Sequence, residues 1–224
     1  MTDTIVIIYE TVLMKNYLQK IYSLIIFTVL SGSAQAADKA QELTGLLNGI
    51  KTMRADFTQT IYDNRGQAIQ KSTGKMALER PGKFRWQVGK PIPQTIIANS
   101  ERLWIYDPDL EQVTIRSLKV ETGEAPALIL SHQNADLEKN YQIQSMKPQG
   151  SLQWFLLKPK KNDNMFASVK MGFANTQLKE MVLQDQIGHS TRVQFQKIEM
   201  NISLPSSLFK FIPPKGTDII DETR

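Results

Sequence analysis

Few residues of this 224-residue chain have the types and spacing that chemistry needs. Its two histidines, His132 and His189, lie far apart, and neither has metal-ligand spacing to another His or to a Glu. Cysteine is absent, which removes disulfides, thiol nucleophiles and thiolate ligands together. Asp107 and Asp109 flank Pro108 in a turn-like sequence, where aspartate ordinarily caps backbone groups. No nucleophile elbow, zinc-protease helix, dinucleotide fingerprint or phosphate loop is present. Lys158, Lys160 and Lys161 read as a solvated hairpin tip, and Asn201-Ile-Ser203 matches a glycosylation sequon by chance. The expectation is therefore a non-enzyme with neither metal nor cofactor.

The residue that does stand out is Arg80. In Gly74–Val88, Pro81-Gly82 breaks a strand pair. By parity Met76, Leu78 and Arg80 share one face of the first arm, and Phe84, Trp86 and Val88 share one face of the second. An arginine that ends an apolar face is costly unless it reaches water or a partner.

The elements that must position it are mostly strands. Apolar residues at three- and four-residue spacing predict one amphipathic helix over Asp38–Lys51. From Met53 the period becomes two, and strands with short turns continue to Ile115 as an antiparallel meander. The pattern breaks at 120–139, where Pro126–Ser131 and Ala135–Lys139 predict short helices. Strands resume at Tyr141–Met146, Gln153–Lys158, Ser168–Ala174, Leu178–Gln184, Ser190–Glu199 and Leu208–Ile212, with a brief continuation around Ile219-Ile220. The sum is about 11 strands, and a sheet this long should curl. The expected fold is mainly β: an unclosed antiparallel barrel with the middle helices as a lid over an apolar concave cavity. A closed lipocalin-like barrel is the nearest competitor. Phe57, Met76, Leu78, Phe84, Trp86, Leu103, Ile105, Val113, Ile115, Phe155 and Leu157 fall on the apolar strand faces, where they either fill a core or line a pocket for an apolar ligand.

The N-terminus carries an address. Lys15 and Lys20 precede the apolar run Ile21–Leu30, and Ala34-Gln-Ala36 forms a small-residue cleavage site. Residues 1–36 thus read as a signal peptide cleaved after Ala36, with 37–224 as a single exported domain. Within it, Met14-Lys-Asn16 is the better start, so residues 1–13 are either an over-extended gene start or an unusual leader. The leader holds two charges of each sign, so the exported domain keeps the whole chain's net charge of +5. That excess suits an acidic partner or an anionic surface. Without a clustered Arg/aromatic platform it does not indicate nucleic acid.

Four motifs in order give the chain a family resemblance: Phe57-Thr-Gln59; Gly74-Lys-Met-Ala-Leu-Glu-Arg-Pro-Gly-Lys-Phe-Arg-Trp86; Leu103-Trp-Ile-Tyr-Asp-Pro108 with Glu111-Gln112; and Phe211-Ile-Pro-Pro-Lys-Gly216. From about Ala40 to Asp221 the sequence resembles the LolA family of periplasmic lipoprotein carriers. The resemblance implies a half-barrel without catalysis that shields the acyl chains of outer-membrane lipoproteins. It implies an inner-membrane Lol ABC transporter as donor and, where one exists, the receptor LolB as acceptor; a monomer is expected. It assigns Arg80 as the lid latch, Phe84 to ligand retention and transporter handling, and Trp86 to the cavity. The lid falls at Leu128, Ile129 and Leu130, which here lack an aromatic that some relatives carry after the proline. The alternative is a periplasmic carrier or sensor of another apolar ligand, such as a free lipid. A polyanion-binding β protein is the third reading, and it would show steep salt dependence.

Overall fold

The computed structural model describes residues 31–117, 128–131, 134–161 and 166–223. The apolar leader and the proposed start at Met14 lie outside the described residues, as do Pro126-Ala127 and His132. The chain divides into two compact units, Met1–Lys39 and Ala40–Arg224. No described helix is long and apolar enough to cross a membrane.

Helix α1 spans Ser31–Asn48, and its Ala40–Asn48 portion belongs to the second unit. It begins earlier than the apolar spacing predicts, through the alanine-rich stretch before Asp38, and it stops three residues sooner. Gly49 ends it; the Gly49 and Ile50 amides close the last turn on the carbonyls of Gly45 and Leu47. Leu43, Leu47 and Ile50 are buried.

Most of the remaining described residues form one 12-stranded sheet. Its strands are β1 Thr52–Tyr62, β2 Ala68–Glu79, β3 Lys83–Val88, β4 Gln94–Asn99, β5 Arg102–Asp107, β6 Gln112–Ser117, β7 Tyr141–Ser145, β8 Gln153–Pro159, β9 Phe166–Ala174, β10 Gln177–Asp185, β11 Ser190–Met200 and β12 Asp218–Asp221. The spatial order is β12-β6-β5-β4-β3-β2-β1-β11-β10-β9-β8-β7. The two end strands are not paired with each other, so the barrel is unclosed as expected. Hairpin neighbours build each half, and the long pairing of β1 with β11, from Met53↔Met200 to Tyr62↔Ser190, joins them. Two short helices, α2 (Leu128–Ser131) and α3 (Asn134–Asn140), follow β6.

The alternation selects the inner face. Met53, Ala55 and Phe57 of β1, Met76 and Leu78 of β2, and Phe84, Trp86 and Val88 of β3 enter one large apolar cluster. So do Phe155 and Leu157 of β8, Val169, Met171 and Phe173 of β9, and Met181 and Leu183 of β10. Leu43 and Leu47 of α1, Leu130 of α2 and Leu137 of α3 complete it from the helical side.

The last segment corrects the sequence reading. Residues 208–212 do not form a strand: Ser206–Phe209 is a 3-10 turn, and extended coil follows to the prolines. Pro205 sets the entry to the turn, and Phe209 is buried with Leu204 against Ala77. Ala77 lies on the opposite face of β2 from Met76 and Leu78, so this segment covers the outside of the sheet. The last strand is β12, at the continuation expected around Ile219-Ile220; it pairs parallel to β6 and is fastened by the Arg116–Glu222 ion pair at 2.6 Å.

Candidate functional site

The strand pair β2–β3 supplies most of the site. Its register places Met76 opposite Trp86 and Leu78 opposite Phe84. Gly74 is needed beside them, because a Cβ there would collide with the Gln87 carbonyl oxygen and the Phe57 ring. Relieved of that side chain, Phe57 stacks on Trp86 with ring centroids 3.7 Å apart and planes 13° apart. Phe84 continues the stack at 6.1 Å, and Phe195 meets Trp86 edge-on at 6.4 Å. These rings form a continuous aromatic floor to the concave face.

Nine of the eleven apolar residues singled out in the sequence join this cluster; Val113 and Ile115 are buried on the other face, since the register sets Arg116 and Thr114 opposite Leu103 and Ile105. Phe57, Met76, Leu78, Phe84, Trp86 and Leu103 are buried, and Ile105 packs partly buried against the same cluster. Leu130 joins them from the lid. Leu128 and Ile129 lie in α2 with it, their side chains outside the described residues. The floor is covered, so the structure shows the concave surface packed against its helices.

Arg80 stands at the edge of this surface, where β2 ends. Its Nε donates to the Leu130 carbonyl at 2.7 Å. Beside it the Gly82 amide donates to the Ser131 carbonyl at 2.9 Å. Both acceptors belong to the last residues of α2, whose carbonyls have no partner within the helix. Gly82 sits at φ +73°, a conformation open to glycine, and an added Cβ would lie 2.8 Å from Ser100 Oγ. The Ser100 amide donates to the Gly82 carbonyl, and Ser100 Oγ donates to that of Pro81, so the β4–β5 turn braces the lid contact. Burial lowers the Arg80 guanidinium to about 10. It therefore keeps its charge at neutral pH, and the contact does not titrate in the physiological range.

The second lid helix is fastened separately. Leu137 is buried; the Glu138 carboxylate accepts from Thr44 Oγ1 at 3.0 Å, and the Glu138 carbonyl accepts from Lys160 Nζ at 2.7 Å. Lys160, read in the sequence as a solvated tip, thus ties the β8 end to α3. The sequence reading also missed the outer-face cluster of Ala77, Leu204 and Phe209. The available signal was the run Leu204-Pro-Ser-Ser-Leu-Phe209, which has the proline and serines of a turn rather than of a strand. Among the described residues no group of His, Asp and Glu is arranged to hold a metal.

Fold and site together define an open antiparallel half-barrel whose apolar concave face is covered by helices whose backbone carbonyls accept hydrogen bonds from the sheet. The family model described as "Outer membrane lipoprotein carrier protein LolA" matches residues 48–212. The chain is 39% identical over 207 residues to the outer-membrane lipoprotein carrier protein of Dechloromonas aromatica, covering 92% of this chain and 99% of that one. It is 41% identical over 191 residues to the carrier protein of Chromobacterium violaceum, covering 85% and 91%. A solved structure of an uncharacterized conserved protein from Thermus thermophilus shares the fold at 11% identity, with TM-score 0.51 over 84% of this chain and all of that one. The chain belongs to the LolA family.

Proposed function

We propose that this protein is a periplasmic carrier that shields the acyl chains of outer-membrane lipoproteins during transit. The observation that carries the reading is the apolar concave surface, floored by Phe57, Trp86 and Phe84 and covered by helices joined to the rim through Arg80. An apolar surface of this kind, once uncovered, suits an apolar ligand, and relatives about 40% identical are named as carriers of lipoproteins. The donor is the inner-membrane Lol ABC transporter and, where one exists, the acceptor is a LolB-type receptor. Export follows the leader at residues 1–36, with cleavage after Ala36.

Energetics set the division of labour. Burying one methylene is worth about 0.8 kcal/mol, so two ~14-carbon chains are worth on the order of 20 kcal/mol as an upper bound. A cavity that captured all of it would never release its load. The packed, covered state offsets part of that gain, because its own contacts must open before the ligand enters. Arg80 is the latch of that state, Phe84 and Trp86 meet the acyl chains, and extraction draws on the donor's nucleotide hydrolysis.

Depletion of the protein should leave lipoproteins at the inner membrane, seen by membrane fractionation; normal sorting after depletion would refute the carrier reading. Mass spectrometry of co-purified material separates a lipoprotein cargo from a free lipid. Phe84→Glu tests the floor. Placing a carboxylate at this fully buried position should cost about 3–5 kcal/mol of stability. It should also reduce loading in a reconstituted transporter assay. Unchanged loading and delivery would remove Phe84 from the ligand surface.

A further inference from the structure

The outer face of the other half-sheet holds a second built pocket, on the side of β8–β11 away from the apolar cluster. Register sets two rows across it. Trp154, Gly172, Glu180 and Gln194 lie side by side on β8, β9, β10 and β11. Lys170, Val182 and Arg192 form the next row. The Trp154 ring lies on Gly172, where an added Cβ would come within 3.0 Å of the indole. The β7–β8 loop folds back over this face, held by the Met146 amide on the Trp154 carbonyl and by the Gln149–Leu152 bridge. The result is a pocket of about 230 Å³ bounded by Tyr62, Gln149, Trp154, Lys170, Glu180 and Arg192, among others.

The polar groups of this pocket are unequally satisfied. Glu180 is 5% exposed, and its carboxylate accepts from Arg192 Nε at 2.6 Å and from Gln194 Nε2 at 3.4 Å. Trp154 is equally buried, yet among the described residues its Nε1–H has no acceptor. A buried donor of this kind ordinarily has a partner. Lys170, diagonal to Trp154 on the next strand, makes no hydrogen bond or ion pair among the described residues. With Lys170 and Arg192 against Glu180, the pocket carries one net positive charge.

We propose that this pocket binds a carboxylate, which pairs with the Lys170 ammonium beside the Trp154 indole. A single negative charge balances the site, whereas a dianion would face Glu180 in the wall. The carboxylate of the lining is already engaged by Arg192 and Gln194, so the excess charge favours an anion over a cation. The volume lies below the roughly 300–1,000 Å³ of pockets for larger ligands and suits a small acid or one acidic side chain. Because the pocket lies outside the sheet, a carboxylate bound there leaves the concave surface free.

The test is the indole region of a ¹H–¹⁵N spectrum of the purified protein, with the Trp154 signal assigned by Trp154→Phe. Titration with acetate at constant ionic strength should move that signal saturably and leave the Trp86 signal in place. Chloride should not move it. Lys170→Met should raise the half-saturating concentration about tenfold, as expected for loss of a charge-assisted hydrogen bond. A blocked Gly-Glu-Gly peptide that binds tighter than acetate makes the acid part of a protein partner; one that binds no tighter makes it a free small carboxylate. No saturable movement with either, equal movement with chloride, or undiminished binding in Lys170→Met would overturn the proposal. An indole signal that reports only slow exchange with bound water would do the same.

Discussion

Arg80→Leu is expected to give a carrier that loads but does not let go. The substitution removes the hydrogen bond from Nε to the Leu130 carbonyl and leaves the neighbouring Gly82–Ser131 bond in place. A hydrogen bond to a charged group is worth about 1.5–3 kcal/mol. Losing it shifts the balance between the covered and open states by roughly 10- to 100-fold toward the open one. The open state is the one that binds acyl chains, so apparent affinity for the lipoprotein rises by the same factor. Handover to acceptor membranes should fall accordingly, while the amides of α2 lose protection against hydrogen exchange. Arg80→Lys keeps a donor but gives up the planar geometry of the guanidinium, and should fall between the two. A loaded Arg80→Leu protein that delivers its cargo at the normal rate would end the assignment of Arg80 as latch.

The second large effect is expected at Gly74, which touches neither the lid nor solvent chemistry. In Gly74→Ala the new methyl has no room between the Gln87 carbonyl and the Phe57 ring. The carbonyl belongs to the β2–β3 ladder and cannot yield without breaking it. Phe57 is nearly fully buried and stacked on Trp86, so it can yield only by leaving the floor. Overpacking of this kind costs about 1–3 kcal/mol, and the upper end is expected here because backbone is one of the obstacles. Urea unfolding should show a lower midpoint with little change in slope. Near-ultraviolet circular dichroism should lose part of the signal of the stacked Phe57–Trp86 pair. A variant as stable as the parent, with that signal intact, would mean that the ring and the carbonyl can be accommodated elsewhere.

Much of this arrangement was legible in the residues. Alternation placed Met76, Leu78, Phe84 and Trp86 on one face because the other face of β2 and β3 carries lysine, arginine and glutamine. Arg80 was visible as the one charge in that apolar series, and a break in period at 120–139 marked where covering helices lie. What escaped was decided by tertiary contact. Period two says which side chains share a face but not what covers the outer one. Hence Ala77 gave no hint of Leu204 and Phe209, and Glu180 gave none of the pocket above it. Leu208–Ile212 carries enough apolar residues to imitate a strand, yet a buried Phe209 holds it in a turn. The brief strand expected around Ile219-Ile220 is there as Asp218–Asp221, but its parallel pairing with the free edge of β6 was not to be read from its own composition.

The joining of β1 to β11 also governs how the chain acquires its structure. Partners in that pairing lie roughly 130–150 residues apart, and contacts so distant in sequence form late. The hairpins from β2 to β6 and from β7 to β10 need only local closure. Each half-sheet can therefore arise before the other is in place, with its apolar face still uncovered. Until β11 docks, the folding chain exposes the same greasy surface that the finished protein offers to an acyl chain. The pairing that joins the two halves is thus also the step that turns this surface inward.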